Sequence, residues 1–157
     1  MKKILIIDDE VPVRKMLKKL FERNGYDISE ATNGNQGIKL FNEQHPDLII
    51  SDLIMPEKEG LETIRELKKS KPYVPIIAIP GGGLTDPKLY LNLALRFGAV
   101  HLFAKPIDND ILLSTIKEIL SGKTVFIKII IDSKKASALS IYKHPHPFIL
   151  DDNWKIK

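Results

Sequence analysis

Two short, almost purely aliphatic runs, each closed by aspartate, constrain the fold of this chain more than any other feature. The run 3–7 reads KILII and precedes Asp8 and Asp9, and the run 48–51 reads LIIS and precedes Asp52. Strands that are covered by helices on both faces have this continuous apolar character. The two runs therefore predict interior strands of a parallel sheet, with carboxylates placed at the strand ends.

Five apolar runs alternate with segments of helical spacing over residues 1–122. We predict strands near 3–7, 26–31, 47–51, 75–79 and 100–103. Between and after them, apolar residues recur every three or four positions, which is typical of helices with one buried face. The clearest stripes are Val13, Leu17, Leu20 and Phe21; Leu61, Ile64 and Leu67; and Leu112, Ile116, Ile119 and Leu120. The alternation predicts an α/β fold of five βα units with a parallel sheet.

Residues that favour helix ends flank these segments. Pro12 suits a first helical turn, Asp86-Pro87 suits an N-cap followed by a first turn, and Asp108 or Asn109 can cap the last helix. Glycines fall just beyond the predicted helix ends, where left-handed backbone is favoured, at Gly25, Gly98 and Gly122.

The net charge of +4 lies entirely in the C-terminal part of the chain. Residues 1–122 contain 17 Lys/Arg and 17 Asp/Glu, whereas residues 123–157 contain seven lysines and three aspartates. These lysines lie on no helical face and are not interleaved with aromatic residues, so we expect no direct nucleic-acid binding. We divide the chain into one domain, residues 1–122, and a tail of unknown role, residues 123–157, which is too short for an independent core.

The composition also limits the setting of the protein. The chain has no cysteine, which excludes a disulfide framework and a thiolate zinc site. No apolar run approaches the length that crosses a bilayer, and the N-terminal residues lead into a strand without a signal-peptide pattern. We therefore expect a cytoplasmic protein without membrane contact.

Side chains that follow separate parallel strands can converge on one site. In an open parallel α/β sheet, ligands bind beyond the carboxyl ends of the strands. Asp8, Asp9 and Asp52 follow two of the predicted strands, and Lys105 follows the run 100–104. Clustered carboxylates resist ionisation unless a cation neutralises them. The pattern predicts an acidic metal pocket faced by one lysine, which suits the receipt of a phosphoryl group.

These elements, in this order, resemble the receiver domain of two-component response regulators over residues 1–122. The matching segments are ILIIDDE at 4–10, DLIISDLIMP at 47–56, Gly60, Gly98-Ala99 and Lys105-Pro106. In this family the peptide bond between the lysine and the proline is often cis. The resemblance implies a flavodoxin-like, three-layer α/β/α fold with a doubly wound sheet of strand order 2-1-3-4-5.

The resemblance also implies roles for individual residues. Asp52 would be the phosphoacceptor, because a carboxylate can attack phosphorus and form an acyl phosphate. Asp8, Asp9, Asp52 and the backbone carbonyl of Ile54 would bind Mg²⁺. Lys105 would pair with the phosphoryl oxygens. The donor would be a histidine kinase or a phosphotransfer protein, and the domain would catalyse only its own phosphorylation and dephosphorylation. The sequence does not identify the downstream protein partner.

Two positions depart from the pattern of the family. Receivers usually carry Ser or Thr where this chain has Pro80, which offers neither a hydroxyl nor a backbone N–H. A Tyr or Phe that rotates on activation usually lies three residues before the lysine, and here that residue is Leu102. The neighbouring Phe103 should point to the opposite face of its strand. The phosphorylation pocket is thus retained, while the usual route from a hydroxyl to an aromatic ring is missing.

Two other functions compete with a phosphoacceptor domain. A degenerate receiver could act as a protein-interaction module with weak or uncoupled phosphorylation. The residues that favour this alternative are Pro80 and Leu102. A phosphatase of the haloacid dehalogenase type also forms an aspartyl phosphate on a parallel sheet. That class needs a second aspartate two residues after the nucleophile, and Ile54 at this position argues against it.

Overall fold

The computed structural model of the chain describes residues 1–55, 60–80, 87–103, 105–122, 127–130 and 139–141; for residues 87–91 and the last two ranges it describes the backbone alone. The predicted features at Pro56 and Asp86 and most of the tail lie outside the described residues. Within the described part, no helix is long and apolar enough to cross a membrane.

Five strands alternate with five helices, as the hydrophobic pattern predicts. The strands are β1 (Lys3–Ile7), β2 (Asp27–Ala31), β3 (Leu48–Asp52), β4 (Ile76–Ile79) and β5 (His101–Phe103). The helices are α1 (Val11–Arg23), α2 (Gly34–Gln44), α3 (Gly60–Ser70), α4 (Pro87–Arg96) and α5 (Asn109–Leu120). Every predicted strand is therefore confirmed, with bounds that differ by one residue at most.

The five strands are parallel and lie in the order β2-β1-β3-β4-β5, which confirms the doubly wound topology. The chain passes from β1 to β2 on one side and then crosses to β3 on the other, so the strand order reverses at β1. A ligand crevice opens at such a reversal, beyond the carboxyl ends of the strands. Asp8 lies just beyond the end of β1, and Asp52 is the last residue of β3.

The sheet continues beyond the five predicted strands. Strand β6 (Ile127–Ile130) pairs with β5 in parallel, with Leu102 opposite Ile129, and β7 (Leu139–Ile141) pairs with β6 in antiparallel fashion. Part of the C-terminal tail thus extends the sheet at its β5 edge. The physical reason is that an edge strand has unpaired backbone groups, which an adjacent β-branched segment can satisfy.

Apolar side chains fill both faces of the sheet. Alternate residues of β1 point to opposite faces, so that Leu5 and Ile7 belong to one cluster and Ile4 and Ile6 to the other. The first cluster also contains Phe41, Leu61, Ile64, Leu67 and Ala94, from α2, α3 and α4. The second contains Leu17, Phe21, Leu112, Ile116 and Ile119, from α1 and α5. The buried stripes predicted from the sequence are confirmed, and they make a three-layer α/β/α arrangement.

The helix-end signals are confirmed where the structure describes them. Pro12 lies in the first turn of α1, and the side chain of Asp108 accepts hydrogen bonds from the amides of Asp110 and Ile111 at the start of α5. The glycines after α1, α4 and α5 have positive φ values of 82°, 103° and 69°, at Gly25, Gly98 and Gly122.

Candidate phosphoacceptor site

Asp8 is held in the interior at the end of β1. The residue is only 2% exposed, and its Oδ1 accepts a hydrogen bond of 2.8 Å from the amide of Glu10. Its own amide donates to the carbonyl of Ala31 at the end of β2, at 3.2 Å. Backbone groups on both sides therefore fix the carboxylate, and Oδ2 remains to face the crevice.

Asp52 is fixed in a similar way at the end of β3. It is 2% exposed, and its Oδ1 accepts a hydrogen bond of 2.9 Å from the amide of Ile54. The backbone beside it is closely packed, because a Cβ on Gly60 would collide with the carbonyl oxygen of Asp52 and lie 2.6 Å from the Cα of Leu53. The start of α3 can approach Asp52 this closely only because residue 60 is glycine.

Lys105 reaches into the crevice from the loop after β5. Its Nζ lies 2.6 Å from Oε1 of Glu10, 3.3 Å from Oδ2 of Asp52 and 3.4 Å from Oδ2 of Asp8. The Lys105-Pro106 peptide bond is cis, as expected. The lysine predicted from the sequence thus meets both buried aspartates, although residues 8, 52 and 105 are far apart along the chain.

Burial and the mutual charges of the pocket set its protonation. Burial raises the pKa of Asp8 to about 6, although the hydrogen bond from Glu10 and the charge of Lys105 act against it. Burial also raises the pKa of Asp52 above its ordinary value. For Lys105, burial lowers the pKa, but the hydrogen bond to Glu10 and the charges of Asp52 and Asp8 more than offset this effect and raise it. The pocket holds acids that resist ionisation around a firmly protonated lysine.

The donor set of the pocket fits a hard divalent cation. Asp8, Glu10 and Asp52 each offer a carboxylate oxygen, and these oxygens lie within 4.8 Å of one another. Mg²⁺ prefers oxygen ligands and retains water, so a few carboxylates and a carbonyl suffice. A cation would also stabilise the charged forms of Asp8 and Asp52, which burial disfavours.

The three acids that converge in the structure differ in one residue from the metal-binding acids expected from the sequence, which were Asp8, Asp9 and Asp52. Asp9 is not among the three converging acids, although its charge contributes to raising the pKa of Asp52. Glu10 takes part instead, through its short contact with Lys105. Sequence reasoning did not single it out as a ligand, because an acid next to a helix start is stabilised by the helix dipole without any site.

The two positions that depart from the family lie directly after β4 and on β5. Pro80 is buried and directly follows Ile79, which is the register partner of Asp52. Leu102 packs in the cluster formed with α3 and α4, while Phe103 packs in the cluster on the other face. The prediction that Phe103 points away from the side of Leu102 is therefore confirmed.

Sequence reasoning missed Arg14, which contacts the loop that carries the first two acids. Its guanidinium NH1 donates to the carbonyl of Asp8 at 2.7 Å and to that of Asp9 at 3.0 Å. Arg14 is buried together with Leu17 and Phe21 on the inner face of α1. The helical spacing of residues 14, 17 and 21 could have indicated this role. It places a charged residue on an apolar stripe, and a buried charge must have partners.

Comparison with known proteins agrees with this geometry. The family model described as the response regulator receiver domain matches residues 4–117. Sporulation initiation phosphotransferase F of Bacillus subtilis is 30% identical over 122 residues, which cover 78% of this chain and 96% of that protein. The regulatory protein AtoC of Escherichia coli is 34% identical over 108 residues, or 69% of this chain, but this stretch makes up only 23% of AtoC.

Solved structures give the same assignment. A response regulator receiver domain protein from Clostridium thermocellum matches with a TM-score of 0.69 and 31% identity, covering 77% of this chain and 95% of that one. The signal receiver domain of a signal transduction histidine kinase from Syntrophus aciditrophicus matches with a TM-score of 0.70 and 33% identity, covering 78% and 92%. The chain therefore belongs to the response regulator receiver domains, the phosphoacceptor modules of two-component signalling.

Proposed function

We propose that Asp52 receives the phosphoryl group, from a histidine kinase or a phosphotransfer protein, in a reaction that requires Mg²⁺. The observation that carries the proposal is the convergence of Asp52 Oδ2 with Oδ2 of Asp8 and Nζ of Lys105 at one end of the sheet. Phosphoryl transfer depends mainly on positioning and on neutralising charge, and this pocket supplies groups for both.

In the proposed step, a carboxylate oxygen of Asp52 attacks phosphorus as the bond from phosphorus to the donor's histidine nitrogen breaks. The electron pair of that bond returns to the imidazole ring. The amide of Ile54 holds Oδ1 of Asp52 at 2.9 Å and thereby orients the carboxylate. Lys105 Nζ lies 3.3 Å from Oδ2, within reach of oxygens on a phosphoryl group bound there. The lysine offers a compact positive charge for the developing negative charge.

Mg²⁺, when bound, supplies further neutralisation of the phosphoryl oxygens. We assign Asp8, Asp9, Asp52 and the carbonyl of Ile54 to its binding. Glu10 is the competing candidate for the place of Asp9, because its carboxylate lies with those of Asp8 and Asp52. Glu10→Gln and Asp9→Asn separate the two assignments, since only loss of a true ligand should markedly weaken Mg²⁺ binding.

Intact-mass measurement after incubation with Mg²⁺ and phosphoramidate or acetyl phosphate tests the proposal. The wild-type chain should gain the mass of one phosphoryl group, and Asp52→Asn should gain none. Asp47→Asn is the matched control, because Asp47 directly precedes the first residue of β3, at the other end of the strand from Asp52. Its carboxylate accepts hydrogen bonds from Lys2 and Lys3. Equal labelling of Asp52→Asn and the wild type would overturn the assignment of the phosphoacceptor.

We also propose that residues 1–122 are the phosphoacceptor unit and that residues 123–157 are a tail whose role is separate from the receipt of the phosphoryl group and is still to be found. The family match over residues 4–117 supports this boundary. The pairing of β6 with β5 means that the tail can still affect the unit's stability. A chain that ends at residue 122 should label on Asp52 at the rate of the full chain, and loss of labelling would show that the tail belongs to the unit.

A second candidate function is a receiver fold used as a protein-interaction module, with phosphorylation weak or uncoupled. The observation that favours it is the buried Pro80, which puts no hydroxyl beside the pocket. The two functions differ in whether Asp52→Asn changes the binding of a partner protein. A partner that binds the wild type, phosphorylated or not, and Asp52→Asn with equal affinity would favour the interaction module.

A further inference from the structure

A buried guanidinium group, that of Arg14, contacts the loop that carries the first two acids of the pocket. Arg14 is only 8% exposed and is one of three buried residues on α1. A charged side chain is almost never buried unless it is paired. Its partners therefore indicate what the arginine does.

These partners are two consecutive carbonyl groups of the loop between β1 and α1. NH1 of Arg14 donates to the carbonyl oxygen of Asp8 at 2.7 Å and to that of Asp9 at 3.0 Å. On the other side, Nε of Arg14 lies 3.8 Å from Oε1 of Glu30 on β2. One amino group thus bridges the two peptide units that carry the first two acids, and Glu30 balances its charge.

The amide of Glu10 holds the Asp8 side chain, and Arg14 holds the peptides of the loop itself, since no side chain caps the helix that follows. Glu10 is the N-cap of α1, but its side chain makes no capping hydrogen bond and instead contacts Lys105. Rotation of the peptide after Asp8 or after Asp9 would alter the direction of the carboxylates. Hydrogen bonds to both carbonyls oppose that rotation.

We propose that Arg14 is a positioning residue of the phosphoacceptor pocket, which holds the Asp8 and Asp9 peptides so that the pocket can bind Mg²⁺. This inference rests on the proposed function, since it assumes that the pocket binds the metal. Groups that orient metal ligands without touching the metal typically change affinity by about 10–100-fold when they are removed.

Whether removal of Arg14 weakens or tightens Mg²⁺ binding distinguishes a positioning role from a purely electrostatic one. The positive charge of Arg14 repels a cation in the pocket, so its removal alone should tighten Mg²⁺ binding. Loss of the two carbonyl contacts should weaken binding instead. A weaker affinity in Arg14→Met would therefore report positioning, in spite of the favourable change in charge.

The experiment is calorimetric titration of the full chain with MgCl₂. Arg14→Met removes the contacts with the loop and keeps an unbranched apolar side chain. Lys18→Met is the matched control, because Lys18 also pairs with Glu30, at 2.9 Å, and carries the same charge one turn further along α1. Urea unfolding of each variant in EDTA records any loss of stability that is independent of the metal.

We expect Arg14→Met to raise the Kd for Mg²⁺ about tenfold or more, and Lys18→Met to leave it within about twofold of the wild type. An unchanged or lower Kd in Arg14→Met overturns the inference, and so does an equal rise in Lys18→Met. If Arg14→Met does not fold, Arg14→Lys is used in its place. It should show a several-fold rise, because its shorter reach weakens the bridge, and a wild-type Kd overturns the inference.

Failure of the proposed function gives a different result. If the wild-type chain binds no Mg²⁺, the metal pocket and the role of Arg14 within it are both overturned. If the wild type binds Mg²⁺ and Arg14→Met binds it equally well, only the role of Arg14 is overturned.

Discussion

The two sides of the pocket differ in what they keep of a receiver domain. On the side of β1 and β3, Asp8 and Asp52 are buried, held by backbone amides and joined by Lys105. On the side of β4 and β5, a buried Pro80 and a buried Leu102 stand where the family has a hydroxyl and an aromatic ring. The first side has the groups that the proposed phosphoryl transfer requires, whereas the second lacks the hydroxyl and the ring of the family pattern. Receipt of a phosphoryl group and the signalling of its presence therefore depend on separate residues.

The largest expected effect lies on the acidic side and concerns Mg²⁺. A ligand that binds only the folded state stabilises it by RT ln(1 + [L]/Kd), which is about 2.7 kcal/mol at a hundredfold excess over Kd. We expect Mg²⁺ to raise the thermal midpoint of the wild-type chain, and to do so much less for Asp8→Asn and Asp9→Ala. An equal rise in wild type and Asp9→Ala would remove Asp9 from the ligand set and favour Glu10.

The next largest effect is expected at Pro80, and it tests whether the missing hydroxyl limits phosphorylation of Asp52. A hydrogen bond to a charged group contributes roughly 1.5–3 kcal/mol. Pro80→Ser should therefore increase the rate of labelling of Asp52 or the lifetime of the phosphorylated form by about tenfold or more. Pro80→Ala is the control, because it removes the proline ring without adding a hydroxyl. If the two variants label alike, the ring and not the missing hydroxyl limits the reaction.

The third prediction concerns pH and the acidic side without metal. Asp8 has a folded pKa of about 6, above its ordinary 3.8, so the folded state binds more protons than the unfolded state between these values. The contribution of Asp8 to stability is fully present below pH 4 and is lost as the pH rises through 6, and it amounts to about 3 kcal/mol. Urea unfolding in EDTA should show this fall, and Asp8→Asn should show less of it. A wild-type stability that rises from pH 4 to 6 relative to Asp8→Asn would contradict the prediction.

The smallest effect is expected on the side of β4 and β5. A ligand shifts a conformational equilibrium only by its differential interaction with the two states. Because Pro80 and Leu102 replace the groups that usually create that difference, the phosphoryl mimic beryllofluoride should change amide exchange near Asp52 and only weakly in α4 and α5. Large changes that spread through Leu102 into residues 86–97 would reveal another coupling route, and the two sides would then be connected after all.

The sequence alone determined the layout of the fold. Continuous aliphatic runs predict strands covered on both faces, and the stripe from Leu112 to Leu120 predicts a helix, because local periodicity decides which side chains can be buried together. Asp108 and the glycines at 25, 98 and 122 mark helix ends for equally local reasons. The family pattern then added the strand order, which local signals do not contain.

Which groups meet around the pocket depends on contacts between distant parts of the chain, and these are visible in the structure alone. The 2.6 Å contact of Lys105 with Glu10, the bridge from Arg14 to two carbonyls and the pairing of β6 with β5 join residues that lie on different elements. The sequence around an acid at a helix start is the same whether its side chain is solvated or paired with a lysine. The neighbouring side chains in the fold distinguish the two cases. Burial raises the pKa values of Asp8 and Asp52 for the same reason, since desolvation depends on how the whole chain packs around a carboxylate.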